Sequence, residues 1–123
     1  MKRKKILFTG GGTGGHVTPN LAISQSIQKV YPDAMFYYVG KKGKAEESMV
    51  PKGWKHLFDD SRASLHFVST TSGSIKSLKV LFILFVGYVQ ALMILLRHRP
   101  NIIIASGGYV SAPILFASIP IIG

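Results

Sequence analysis

The chain has 123 residues, 47% of them hydrophobic, and no cysteine. That composition suits one domain with a real core, residues 1–123, and excludes disulfides and thiolate metal sites within it. Fifteen Lys plus Arg against five Asp plus Glu give a formal net charge of +10, which favours anionic partners: phosphates, nucleic acid or an acidic membrane surface.

In chain order, the opening "MKRKKILFTGGG" has the basic start of a signal peptide. Its apolar run stops at Phe8, too short for an export signal, so none is expected. Lys4 to Thr9 reads as a short buried strand. Thr18 to Val30 reads as a helix, with Thr18 as its cap, Pro19 in its first turn and an apolar stripe of Leu21, Ala22, Ile23, Ile27 and Val30. After the turn "YPDA", Met35 to Val39 is a second strand. Ala45 to Val50 is a short helix that Pro51 and Gly53 are expected to break. Leu65 to Thr70 is a third strand and "TTSGS" a loop. A long helix runs from Ile75 and Lys76 to His98 and ends before Pro100. Asn101 to Ala105 is a fourth strand, and Ile119 to Ile122 a fifth. Strands alternating with helices predict an α/β fold: a Rossmann-like parallel sheet with flanking helices and right-handed crossovers. The basic residues are scattered along the chain, at Lys41, Lys42, Lys44, Lys76, Lys79, Arg97 and Arg99 among others. They form no block with interleaved aromatics, so nucleic acid is not expected as a partner.

Between the first strand and first helix lie Gly10, Gly11, Gly12, Gly14 and Gly15, interrupted only by Thr13 and followed by His16. Glycine costs backbone entropy on folding, and five exceed what a tight turn needs. Ligands of open α/β sheets bind at the carboxyl ends of strands, and a helix N-terminus offers free N–H groups and a positive dipole end. The loop therefore reads as a phosphate or diphosphate cradle. Gly10, Gly12 and Gly15 satisfy GxGxxG, but a dinucleotide fold wants an acid after the second strand, where Val39, Gly40, Lys41 and Lys42 stand. A P-loop would need Lys then Ser or Thr where His16 and Val17 stand. His16 has two readings, a residue that merely caps the helix and a general base. A helix N-terminus disfavours the imidazolium form and suits the second.

"GGTGGHVTPNLAI" resembles the first glycine loop of the MurG family, the N-acetylglucosaminyltransferases of peptidoglycan synthesis. "PNIIIASGGYVSAPILFAS" resembles that family's second glycine-rich loop, and "VGKKGKAEESMVP" is a third match through Glu46, Val50 and Pro51. The resemblance implies the N-terminal half of a two-domain GT-B glycosyltransferase. Such an enzyme moves N-acetylglucosamine from UDP-N-acetylglucosamine, with inversion, to the C4 hydroxyl of undecaprenyl-diphosphate-linked N-acetylmuramyl-pentapeptide. It implies Thr13, Gly14 and Gly15 on the donor side of the cleft and His16 assisting removal of the acceptor proton. Gly107, Gly108, Tyr109 and Ser111 would then lie near the acceptor or its diphosphate. It also implies a peripheral location on the cytoplasmic face of the cell membrane. In the family a His-Glu-Gln-Asn segment and a whole donor-binding domain follow, so this chain alone is expected to be inactive. The alternative is a non-catalytic membrane-recruitment subunit of a split glycosyltransferase, with a nicotinamide oxidoreductase as a more distant rival. No Asp-x-Asp motif occurs, Asp59 and Asp60 being adjacent, so neither a metal nor a cofactor is expected.

Val80 to Leu96 contains no charged residue, and Lys76, Lys79, Arg97 and Arg99 flank it. A buried crossover helix, a membrane-surface helix and a span all fit that length. Leu78, Phe82, Phe85, Val89, Leu92 and Leu96 line one face, assigned here to the sheet. Lys76, Lys79, Ile83, Val86, Met93 and Arg97, with Gln90, are assigned to an anionic membrane surface.

Overall fold

A computed structural model describes residues 4–11, 14–68, 78–106, 113, 114 and 118. Four strands form one sheet in the order β3-β2-β1-β4: β1 Lys5–Thr9, β2 Met35–Gly40, β3 Ala63–Phe67 and β4 Ile102–Ala105. All neighbours are parallel, with Leu7 opposite Tyr37 and Ile103, and Tyr37 opposite Ser64. The helices are α1 Gly14–Val30, α2 Ala45–Gly53, α3 Lys55–Asp59 and α4 Leu78–His98.

Alternation along the strands splits the core into two layers. Ile6, Phe8, Phe36 and Tyr38 face one way and pack with Val17, Val50 and Leu57 of the first three helices and with Trp54 between α2 and α3. Leu7, Tyr37 and Val39 face the other way, against Ala91 and Leu95 of α4. Strand β1 is covered on both faces, which is why Ile6, Leu7 and Phe8 form a continuous apolar run. The chain adds β2 and β3 on one side of β1 and then returns through α4 to β4 on the other. The order therefore reverses between β1 and β4, the place where such sheets bind ligands.

Several expectations change in detail. Helix α1 starts at Gly14, four residues before the expected cap. The Thr18 hydroxyl donates to the Gly14 carbonyl at 2.9 Å, a bond inside the helix rather than an N-cap. Its buried line is Val17, Asn20 and Ser24, whereas Ala22, Ile23 and Val30 of the expected stripe are exposed. Two polar residues displace the stripe because each has a buried partner, Trp54 Nε1 donating to Ser24 Oγ at 2.8 Å. Pro51 does not end α2. The helix runs to Gly53, and α3, absent from the sequence reading, follows at once from Trp54. Strand β3 is shifted two residues earlier, held by its register with β2 and by Phe36 N–H donating to the Arg62 carbonyl. The expected fifth strand, the loop "TTSGS" and the residues Ile75 and Lys76 lie outside the described residues.

The largest correction concerns α4. The small residues Gly87 and Ala91, with Leu95, form its buried line, and Tyr88, Leu92 and Ile94 pack beside them. Of the described residues assigned to the sheet, only Leu92 meets it. Phe82 is 68% exposed and Phe85 64%, with Val89 and Leu96 also outward. A helix apolar all round has no phase that periodicity can fix, and here the buried line runs through its small residues.

Candidate active site

Strand β1 ends at Thr9 on the carboxyl edge of the sheet, and α1 begins at Gly14. Gly10 has a φ of 135°, a backbone state that residues with a Cβ rarely adopt. Its carbonyl accepts the Tyr38 hydroxyl at 2.6 Å. Burial is the main cause that pushes the Tyr38 pKa up to about 12; the Asn20 hydrogen bond opposes it and Glu46 adds to it. The phenol therefore stays protonated and remains a donor to the loop. Gly11 is buried against the carboxylate of Glu46, which a Cβ would overlap. Glu46 is itself fully buried at the start of α2, lies equally close to Gly40, and accepts the Lys41 N–H at 2.9 Å. A carboxylate thus braces the loop from behind and dictates glycine at two positions.

Asn20 ties the end of β1 to β2 and to the end of β4. Its side-chain amide lies 3.2 Å from the Thr9 carbonyl, 3.1 Å from Tyr38 Oη and 3.1 Å from Ser106 Oγ. Ser106 Oγ in turn donates to the His16 carbonyl, and Ser106 N–H donates to Thr9 at 3.0 Å. This network joins β1, the first turns of α1, β2 and the end of β4. Ser106, which immediately precedes Gly107 in the sequence, lies at the switch between β1 and β4.

Gly14, Gly15 and His16 form the first turn of α1, with His16 half-buried and its carbonyl held by Ser106. That turn contains no acidic residue, so the positive end of a 17-residue helix is not neutralised by its own side chains. Thr13, Gly107, Gly108, Tyr109 and Ser111 lie outside the described residues, as does Lys76. Among the residues assigned to a membrane surface, Lys79, Met93 and Arg97 are exposed, and Ile83 and Val86 are half-buried. The described residues include no group of three or more His, Cys, Asp or Glu able to hold a metal. Sequence reasoning missed Asn20, Tyr38 and Ser106, and quoted Glu46 without a role. An asparagine among apolar positions of a helix beside a glycine loop was the one available signal for the first.

The described part of this edge joins the end of β1, the N-terminal turn of α1 and the end of β4. Residues 6–123 match the glycosyltransferase family 28 N-terminal domain. The chain belongs to that family. Among curated relatives of this family 28 domain are two proteins named UDP-N-acetylglucosamine--N-acetylmuramyl-(pentapeptide) pyrophosphoryl-undecaprenol N-acetylglucosamine transferase. That of Borreliella burgdorferi is 33% identical over 96% of the chain and 32% of its own length. That of Clostridioides difficile is 38% identical over 91% of the chain and 26% of its own length. The fold matches the crystal structure of Acinetobacter baumannii MurG with a TM-score of 0.68, at 20% identity, over 98% of the chain and 33% of that one. The family 28 domain therefore spans about a third or less of the relatives it matches. The expected fold, a parallel Rossmann-like α/β sheet, is the one found.

Proposed function

We propose that this chain is the acceptor-binding half of an inverting N-acetylglucosaminyltransferase that makes the lipid-linked disaccharide of peptidoglycan synthesis. UDP-N-acetylglucosamine is the donor and undecaprenyl-diphosphate-linked N-acetylmuramyl-pentapeptide the acceptor. Family membership and the names of the relatives support the reaction class. The observation that carries the site is the Asn20 network, which ties the end of β4 to the end of β1 and the first turn of α1 at one edge of the sheet.

In this reading the acceptor C4 oxygen attacks C1 of the donor sugar on the face opposite UDP. The C1–O bond to the diphosphate breaks, the C4 hydroxyl loses its proton to His16, and the configuration inverts. Thr13, Gly14 and Gly15 face the donor diphosphate, where the α1 N-terminus favours negative charge. Gly107, Gly108, Tyr109 and Ser111 hold the acceptor. No metal or other cofactor is assigned a part. A separate donor-binding domain completes the site.

The protein works on the cytoplasmic membrane face as a peripheral enzyme. Support comes from α4, the one helix among the described residues long and apolar enough to cross a bilayer, of which only 17% of the apolar window is buried. Its Ala91 and Leu95 lie in the core, so lipid does not surround it. The contact face recentres on Phe82, Phe85, Val89, Met93 and Leu96, with Lys79 and Arg97 towards its ends.

Calorimetry of the 123-residue chain with a short-prenyl, water-dispersed acceptor analogue tests this reading. The chain is expected to bind the analogue and to bind UDP-N-acetylglucosamine far more weakly. Binding of the donor alone, with none of the acceptor, would contradict it. Membrane and acceptor binding without transfer by any donor-domain pairing would assign a recruitment subunit instead.

A further inference from the structure

A cavity of ≈ 490 Å³ opens between edge strand β3 and the last turns of α4. It shares no residue with the glycine-loop site. Its volume is that of a small-molecule pocket, and its lining has the composition of one, apolar with a few polar groups. Phe67, Met93 and Ile94 supply apolar wall; His66, His98 and Arg97 supply polarity, and its described lining includes no carboxylate.

The polar end is unusual. The His66 and His98 rings lie 4.8 Å apart, and His98 stacks on Tyr37 at 4.4 Å. His66 Nε2 is 3.0 Å from Ser64 Oγ. His98 Nε2 is buried with no hydrogen-bond partner among the described residues. A buried ring nitrogen left without a partner calls for an explanation, and a ligand atom is one. Among the described residues the charged groups that bear on the pair are positive: Arg97 of α4 acts on both rings, and Lys5 of β1 on His98.

We propose that this pocket binds an amphipathic anion, an alkyl chain ended by a sulfate, phosphate or carboxylate. The chain lies against Phe67, Met93 and Ile94, and the charge sits at the end formed by Arg97, His66 and His98. Both imidazoles are held below their ordinary range, by burial first, then for His66 by Arg97 and for His98 by His66, Arg97 and Lys5. An anion offsets that repulsion, so binding takes up protons and tightens as pH falls.

Octyl sulfate is the probe, because its charge does not titrate. Octanol is the control for the chain and inorganic sulfate the control for the charge. Calorimetry on the 123-residue chain should show octyl sulfate binding at least about tenfold more tightly than either, the worth of one charge-assisted contact. The His66 and His98 ring resonances should shift on binding, and affinity should rise between about pH 7.5 and about pH 6. Arg97→Gln, an exposed position, should lower affinity about tenfold, whereas Phe82→Ser with Phe85→Ser should leave it unchanged. Octyl sulfate binding no tighter than octanol, unmoved histidine resonances, or equal losses in the two variants would each overturn the proposal. So would binding seen only on phosphatidylglycerol vesicles, which would assign the effect to the outer face of α4. These outcomes do not depend on acceptor binding at the glycine loops.

Discussion

Asn20 is a fully buried polar side chain whose two N–H groups are shared among Thr9, Tyr38 and Ser106. Truncating it leaves buried acceptors unsatisfied, which typically costs about 1–3 kcal/mol. Asn20→Ala should therefore lower the urea midpoint, and it should weaken acceptor binding because Ser106 loses a tie to α1. A variant with full stability and full acceptor affinity would show that the network does not organise the site. His16 sits in the first turn of α1 with its backbone anchored. In a complete enzyme carrying this half, His16→Ala should reduce kcat by about 10²–10⁴, the usual worth of general-base assistance, with little change in acceptor KM. Unchanged kcat with a raised KM would make His16 a binding residue. The position of the glycine loop and His16 between the first strand and the first helix was legible in the sequence because the pattern is local. The buried contacts of Asn20, Tyr38, Ser106 and Glu46 were not, because each depends on a residue distant in sequence or on a backbone approach that only the folded sheet creates.

At the scale of elements, α4 shows where pattern reading stops. Its existence and approximate ends followed from an uncharged apolar run closed by Pro100, but the face towards the sheet did not. Gly87 and Ala91 carry little hydrophobic signal, yet both are buried, and Ala91 packs in one cluster with Tyr37 and Val39. Phe82 and Phe85 carry the strongest signal and face outward. Phe82→Ser with Phe85→Ser should thus leave the melting temperature nearly unchanged and remove the salt-resistant part of binding to anionic vesicles. The remaining charge attraction is screened over a Debye length of about 8 Å at physiological ionic strength. A large loss of stability would return these rings to the core. Ala91→Leu should do the reverse, costing about 1–3 kcal/mol by overpacking the sheet side while sparing vesicle binding. The His66–His98 contact adds a pH dependence to the same element. Both folded values lie below the ordinary imidazole value, so the unfolded chain binds protons more readily. The stability from this pair is present above about pH 6.5 and declines as pH falls towards the depressed values. Urea midpoints should drop on acidification through that window. The drop should shrink in a His66→Gln, His98→Gln variant; an identical profile there would assign the pH dependence to other groups.

For the whole molecule, strand order and crossovers place the chemistry. The alternation of strands and helices was enough to predict the parallel sheet, and the switch between β1 and β4 puts the carboxyl ends of those two strands side by side. The reading of that edge as half of a glycosyltransferase site makes a demand on the other half. The chain spans 26% of the Clostridioides difficile relative, and the proposed function requires a donor-binding domain within the rest of such a protein. The decisive measurement is transfer of labelled N-acetylglucosamine from UDP-N-acetylglucosamine to the lipid-linked acceptor by this chain fused to the donor domain of that relative. The fusion should form the lipid-linked disaccharide, the 123-residue chain alone should form none, and His16→Ala should slow the fusion by about 10²–10⁴. A correctly folded fusion that binds both substrates and transfers nothing, or a purified chain that transfers by itself, would contradict the account.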